Sequence, residues 1–370
     1  ARPLGLQSSG DEGAAGAARR LRMSVKLNRY IALALQIDVD GVHPDRDRAA
    51  AAARMRRSIE RIDTAVLGAK TWIGDDLKLV VLPEYVLQGP PWGETIAEWH
   101  DKAALAPEGP EYTALAELAQ RRGVYLAGNG YETDRHFPGL YFQACWLFDP
   151  SGTRVLSYRR LISVFAPTPH DVWDKYLDVY GLERVFPVAD TPLGRLAAIA
   201  SEEILYPEIA RCHAIRGAEV FLHSTSEVAS PQLTPKQIAR RARALENLAY
   251  VVSANNARLR GIDVPVDSAN GYSDIIDFLG NQLVVAATGE SSVASATLEL
   301  EALREYRRRP GMGNLLSRQA LELFAESYAN ADLRRKNGLL DGTRVVVPDR
   351  SYFRQRQLDA IARMQQRGIL

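Results

Sequence analysis

Three short polar clusters each follow a run rich in apolar residues: Glu84 after residues 77–83, Arg159 and Arg160 after residues 154–158 (where Val155, Leu156 and Tyr158 are the apolar members), and Ser201, Glu202 and Glu203 after residues 196–200. Short apolar runs of this kind read as strands. α/β proteins carry their chemistry at the carboxyl ends of such strands. A carboxylate there can act as a general base, a fixed cation can stabilise an oxyanion, and a hydroxyl can be a nucleophile or a hydrogen-bonding group. Ser201 is the sharpest of these positions. The small apolar run 196–200 stops at it, and a helical pattern resumes after Tyr206-Pro207-Glu208. A strand that turns abruptly into a helix presents the turn residue at the rim of the sheet. Charged residues at strand ends are also ordinary caps and surface ion pairs, so spacing alone leaves both readings open.

The elements that position these residues alternate along the chain. Strands are expected at 30–36, 77–83, 124–129, 141–148, 154–158, 186–189, 196–200, 219–223, 250–255, 271–277, 282–287 and 292–298. Helical periodicity covers 45–69, 112–122, 207–216 and 234–247. The last of these carries Lys236, Arg240, Arg241 and Arg243, which read as a solvated basic outer face. Residues 37–41, 88–99 and 163–174 read as loops. No linker-like composition interrupts residues 24–300, which predicts one α/β domain, taken as residues 23–300, with a mixed sheet arrangement. Residues 301–370 read as a helical C-terminal extension, with helices expected at 315–323 and 355–366. Residues 1–22 are rich in Gly, Ala, Ser and Arg, and Met23 follows them. They lack the apolar core of a secretory signal, so a flexible tail is expected.

Bulk composition narrows the function classes. Of 370 residues, 46% are hydrophobic and 25% charged, the ordinary globular mix. A formal net charge of +1 gives no global attraction to nucleic acid or to a membrane surface. No apolar run reaches the length of a membrane span. Two cysteines, Cys145 and Cys212, cannot build a disulfide framework, which points to a reducing compartment and a cytoplasmic location.

Six segments, taken in order, resemble the nitrilase (carbon–nitrogen hydrolase) superfamily over most of residues 28–300. Leu79-Val80-Val81-Leu82-Pro83-Glu84-Tyr85 is similar to the family's strand ending in a Pro-Glu base. Gly128-Asn129-Gly130-Tyr131 follows. Phe148-Asp149-Pro150-Ser151-Gly152 then leads to Tyr158-Arg159-Arg160, similar to a Tyr-Arg-Lys segment. Leu205-Tyr206-Pro207-Glu208 with Arg216-Gly217-Ala218-Glu219 resembles the stretch around the nucleophile. Ala244-Leu245-Glu246-Asn247 with Tyr250–Asn255, and then Gly271–Asp277, complete the set. The resemblance implies a four-layer α-β-β-α sandwich, usually assembled as a homodimer or larger homo-oligomer. It implies hydrolysis or transfer at amides, nitriles or carbamoyl groups by a Glu base, a Lys that stabilises the tetrahedral intermediate and a Cys nucleophile. It implies no metal and no organic cofactor.

Carried over residue by residue, Glu84 matches the base, Arg160 the Lys position and Ser201 the Cys position. A second family Glu has no clear equivalent; Asp171 is the nearest candidate. Tyr85, Trp92 and Trp173 are expected to wall the pocket, and Glu202 to meet substrate. The departures matter chemically. A serine hydroxyl needs a strong, well-placed base; the segments around Ser201 offer Glu84, Glu202 and Glu203, poor bases for an alcohol unless burial raises their pKa. An arginine can donate to an oxyanion through its planar fork but cannot exchange a proton. The expectation is a hydrolase or amide-group transferase of the amidase-like branch, acting on a small amide-type or carboxylate-bearing molecule through an atypical Glu-Arg-Ser site. The alternatives are a catalytically degenerate protein that binds a ligand or partner in the same pocket, and a serine substituted for a native cysteine. His170, His223 and Cys212 read as loop, strand-end and packing residues.

Overall fold

The computed structural model describes residues 27–269 and 271–370; the tail expected over residues 1–22 lies outside the described residues. The chain runs β1 (Arg29–Asp40), α1 (Arg48–Ile73), β2 (Leu77–Val81), α2 (Ile96–Lys102), α3 (Pro110–Arg122), β3 (Tyr125–Thr133), β4 (Tyr141–Phe148) and β5 (Arg154–Arg159). It continues through α4 (Trp173–Tyr180), β6 (Ala189–Thr191), β7 (Gly194–Ala200), α5 (Pro207–Ile215), β8 (Val220–Ser224), α6 (Pro235–Asn247), β9 (Tyr250–Ala254) and β10 (Asn256–Arg260). Then come β11 (Ser273–Ile276), β12 (Gln282–Ala286), β13 (Ser292–Glu299), α7 (Leu300–Arg308), α8 (Glu322–Ala329), the two-residue strands β14 (Leu340–Asp341) and β15 (Arg344–Val345), and α9 (Ser351–Gln366).

One sheet has the order β10-β1-β2-β3-β4-β5, with β13 also on β1; the other has the order β12-β11-β9-β8-β7-β6. The sheets stack face to face: β2 lies on β8 and β9, and β4 and β5 lie on β7. Helices α1 and α3 cover the outside of the first sheet, and α5 and α6 the outside of the second. The result is a four-layer α-β-β-α sandwich. Its central strands are covered on both faces, which is why β2, β8 and β9 are largely apolar along their length rather than alternating. Each fully buried Leu or Val in them contributes roughly 1.5–3 kcal/mol. On α1 the buried residues Ala51, Met55, Ile59, Ile62, Val66 and Ala69 form one helical stripe toward the sheet. Among the described residues no helix is long and apolar enough to cross a membrane.

Several elements differ from expectation. β1 does not end at residue 36. Its second half pairs in parallel with β10 (Ile37 with Asn256, Val39 with Leu259), so the expected loop at 37–41 is mostly strand. The expected loop at 88–99 gives way to α2, which starts at a capping box: Thr95 Oγ1 accepts from the Glu98 N–H and Glu98 accepts from the Thr95 N–H. Residues 163–174 carry a single 3-10 turn, Pro169–Val172, and the start of α4. The strand expected at 186–189 forms later, at Ala189–Thr191, where a tight hairpin sets Thr191 opposite Gly194. No helix spans 315–323; α8 begins at Glu322.

The basic outer face expected on α6 is also corrected. Arg240 is wholly buried, in ion pairs with Asp274 at 2.8 Å and Glu227 at 3.3 Å. Arg243 is buried too, its Nε donating to the Ile204 carbonyl at 2.9 Å. Arg241 is the member of the set that stays exposed. These arginines tie the helix to loops at the end of the second sheet instead of facing water.

Candidate active site

In the first sheet β2, β3 and β5 run the same way, and in the second β7, β8 and β9 do. The carboxyl ends of β2, β5, β7 and β8 meet at one end of the sandwich. There the Glu84 N–H donates to the Thr225 carbonyl at 3.3 Å, joining the two sheets. Glu84, Arg160 and Ser201, far apart in sequence, come together at this end, and all three are nearly inaccessible, with 3%, 7% and 3% exposure.

Ser201 follows β7 directly and opens the 3-10 turn Ser201–Leu205. Its φ of +49° lies in the left-handed region, an unfavourable place for a residue with a side chain. Surrounding contacts must therefore hold it, and strain of this kind concentrates at functional sites. One such contact is His223 on β8, whose Nε2 lies 2.9 Å from the Ser201 carbonyl oxygen. Its Nδ1 lies 2.8 Å from Ser253 Oγ, which in turn accepts from Arg240 at 2.9 Å. Nε2 is then the donor to the carbonyl and Nδ1 accepts the Ser253 proton. Burial, with Arg240 nearby, pushes the His223 pKa well below the ordinary value, so the ring stays neutral.

Glu84 is fixed at both oxygens. Oε2 accepts from the Ser226 N–H at 2.9 Å. Oε1 accepts from Gln143 Nε2 at 2.7 Å and from Arg160 at 3.4 Å. Arg160 also donates to Gln143 Oε1 (2.6 Å), the Ile162 carbonyl (2.6 Å) and the Glu202 carboxylate. Gln143, on β4, thus sets the spacing between acid and base. Glu203 turns away from this cluster. One oxygen accepts from the Leu161 and Ile162 amides at 2.7 and 3.0 Å, and the other from Tyr158 Oη at 2.7 Å. It anchors the loop after β5 to the turn after β7. Burial pushes its pKa up to about 7, against the opposing pull of Arg160 and these donors.

Lys236 is the site residue the sequence reading misplaced. Its Nζ lies 3.0 Å from Ser201 Oγ, 3.2 Å from Thr225 Oγ1 and 2.8 Å from the Ser226 carbonyl. Thr234 caps α6 and Pro235 opens it, so Lys236 sits in the first turn. Side chains in a helix lean toward its N-terminus, which here means toward the strand ends. Burial lowers the Lys236 pKa, although Glu84 and Glu227 oppose the shift. The Thr234-Pro235-x-Gln237 cap was legible in the sequence; which way the turn faced was not.

The remaining expected site residues are placed as follows. Tyr85 is buried beside Glu84 with φ +41°, its N–H donating to Asn129 Oδ1 at 3.2 Å. Asp171 is engaged with the C-terminal segment: its carboxylate takes Arg356 at 2.5 Å, Arg334 at 3.3 Å and Tyr352 Oη at 3.0 Å, and no hydrogen bond links it to Glu84, Arg160 or Ser201. Trp173 lies against His170, with ring centroids 6.3 Å apart. Trp92 is half exposed, at 54%. Cys145, on β4, is buried, accepts from Asn129 Nδ2 at 3.3 Å, and is pushed by burial up to a pKa of about 12, so it carries almost no thiolate near neutral pH. Cys212 lies half-buried on α5. Among the described residues no group of His, Cys, Asp and Glu is arranged to hold a metal ion.

The carbon–nitrogen hydrolase family model matches residues 43–308, more than half of the chain. An omega-amidase of Xenopus laevis is 26% identical over 233 residues, which cover 63% of this chain and 80% of the relative. A hydrolase of Pseudomonas protegens, described by its position in the pqqF 5' region, is 30% identical over 228 residues, covering 62% of this chain and 70% of the relative. Among solved structures, a carbon–nitrogen hydrolase from Helicobacter pylori G27 superposes with a TM-score of 0.59 at 20% identity, covering 81% of this chain and 98% of that one. An amidase from Nesterenkonia sp. AN1, solved as a mutant in complex with butyramide, gives a TM-score of 0.59 at 18% identity, covering 80% and 96%. The order of the strands, the meeting of their carboxyl ends and the span of the family match lead to one conclusion: this chain belongs to the carbon–nitrogen hydrolase family.

Proposed function

We propose that the protein hydrolyses, or transfers the acyl group of, a small amide, with Ser201 as the attacking residue in place of a cysteine. The observation that carries this reading is the position of Ser201 Oγ: it stands at a strained turn between two sheets, with a titratable amine 3.0 Å away. Arg160 occupies the place of the family's lysine in this reading. Its guanidinium is already paired with Glu84 and Glu202. Little charge is left for a substrate carboxylate, which favours a neutral amide over a carboxylate-bearing one. Relatives described as omega-amidases support a small amide as the substrate class, and a neighbour bound to butyramide supports a neutral one. From the resemblance the chain is expected to work as a homodimer or larger homo-oligomer, and from its two cysteines in the cytoplasm.

Ammonia release from a panel of short aliphatic amides tests the reading. The full chain is expected to turn over at least one, and Ser201→Ala to lose that activity by at least about 100-fold, the usual scale for removing a nucleophile. The paired change Ser201→Cys with Arg160→Lys is expected to raise turnover, since a thiol is the stronger nucleophile near neutral pH. A second reading, a non-catalytic binding protein, is favoured by the engagement of Arg160, which spends four of its five N–H donors on Glu84, Gln143, Glu202 and the Ile162 carbonyl. Binding of an amide without turnover, in both the natural chain and the paired variant, would select it.

A further inference from the structure

We infer that Lys236 is the proton acceptor and donor for Ser201, so that the site works as a serine–lysine pair; the inference rests on the reading of Ser201 as the attacking residue. Among the described residues, Lys236 Nζ is the group that hydrogen-bonds Ser201 Oγ. Neither Glu84, Glu202 nor Glu203 does so. Both Glu84 oxygens are taken by fixed donors, the Ser226 amide on one and Gln143 with Arg160 on the other. Glu203 is used by the loop amides and Tyr158, and Glu202 by Arg160.

Nζ can meet its neighbours as a neutral amine as well as an ammonium. It has three polar neighbours. The Ser226 carbonyl can only accept, and Thr225 Oγ1 can accept. A neutral amine donates its two N–H bonds to these and turns its lone pair to the Ser201 hydroxyl. Burial, with Arg160 nearby, favours that form against the opposing charges of Glu84, Glu227 and Glu202, and the Lys236 pKa is lowered on balance. Lysines tuned by burial serve as general bases, and serine with lysine is a known solution to activating a hydroxyl without histidine. His223 cannot fill the role, because its Nε2–H is spent on the Ser201 carbonyl.

The steps balance as follows. Ser201 Oγ bonds to the amide carbon as its proton passes to Lys236 Nζ, and the carbonyl π pair moves to oxygen. The pair returns, the C–N bond breaks, and Nζ gives its proton to the leaving nitrogen. Water then attacks the Ser201 ester, Nζ takes a water proton, the Oγ–C bond breaks, and Oγ recovers a proton from Nζ. The sum is amide plus water giving acid plus amine.

The test uses p-nitrophenyl acetate on the full-length chain, with peptide mass spectrometry of the acetyl adduct at residue 201. The natural chain is expected to acetylate Ser201 at a rate that rises with pH to a midpoint below that of an ordinary lysine. Lys236→Arg and Lys236→Met are each expected to slow this on the order of 100-fold or more. Combining Lys236→Met with Ser201→Cys should restore acetylation at position 201, because a thiol ionises without a strong base; it also shows that the pocket still forms. Unchanged rate and pH profile in Lys236→Met would overturn the pair while leaving Ser201 as nucleophile. Absence of any Ser201 adduct in the natural chain, with labelling of Ser201→Cys, would overturn the serine reading itself and the pair with it.

Discussion

At the scale of single residues, the site depends on how Ser201 is held. The Ser201 backbone cannot leave φ +49° without disturbing the bond from His223 Nε2 to its carbonyl. Replacing His223 by Phe leaves that buried carbonyl and Ser253 without their partner, at a cost of about 1–3 kcal/mol. Denaturant unfolding measures the loss, and acetylation of Ser201 is expected to fall with it, since the hydroxyl is no longer aimed. The residues themselves were unevenly legible. Glu84, Arg160 and Ser201 each follow an expected strand, and their convergence was implied by the family resemblance rather than by spacing. Lys236 lies among charges on a helix that also bears Arg240, Arg241 and Arg243. A local pattern cannot say which of four basic residues faces a sheet edge; only tertiary packing decides that. Gln143, which spaces Glu84 from Arg160, has no sequence signal beyond being polar in an apolar strand.

At the scale of elements, α6 is the strut that places Lys236. Its buried face includes Arg240, wholly inaccessible between Asp274 and Glu227. Removing one partner of a buried ion set leaves uncompensated charge. Arg240→Met is therefore expected to destabilise the fold by about 3–5 kcal/mol, read by chemical denaturation, whereas exposed Arg241→Met is expected to stay within about 0.5 kcal/mol. Helices and central strands were readable because burial imposes period and apolar runs. β10 and the second half of β1 were missed because their pairing is non-local, Ile37 with Asn256. α2 was legible in the Thr95–Glu98 capping box and passed over among the prolines and glycines that precede it.

At the scale of the whole molecule, the C-terminal segment closes over the loop that leads from Arg160. Arg350 donates to the Phe165 carbonyl at 2.7 Å, Arg356 to the Ser163 carbonyl at 2.5 Å, and Arg334, Tyr352 and Arg356 converge on Asp171. Burial raises a carboxylate pKa, but Arg356 and Arg334 outweigh it and hold Asp171 below its ordinary value. A group depressed in the folded state contributes stability that is complete above its unfolded pKa and is lost as pH falls through the folded one. Docking of residues 334–356 is therefore expected to weaken below about pH 4, the unfolded aspartate value. Hydrogen exchange across residues 163–174 and 334–356 checks this: protection falls on acidification in the natural chain and is already low at neutral pH in Asp171→Asn. One α/β domain followed from the alternation of strands and helices, and the order of its layers from the family resemblance. The fold of this terminal segment did not, because its contacts are arginine bonds to distant carbonyls and carboxylates rather than a periodic apolar face.

The central claim, that Ser201 attacks an amide, is tested most directly by acid-quenching the full-length chain during turnover of a short aliphatic amide and weighing the peptide that carries residue 201. The account predicts an acyl adduct on Ser201 that disappears, together with ammonia release, in Ser201→Ala. Ammonia release that continues unchanged in Ser201→Ala, with no adduct on the natural chain, would contradict it.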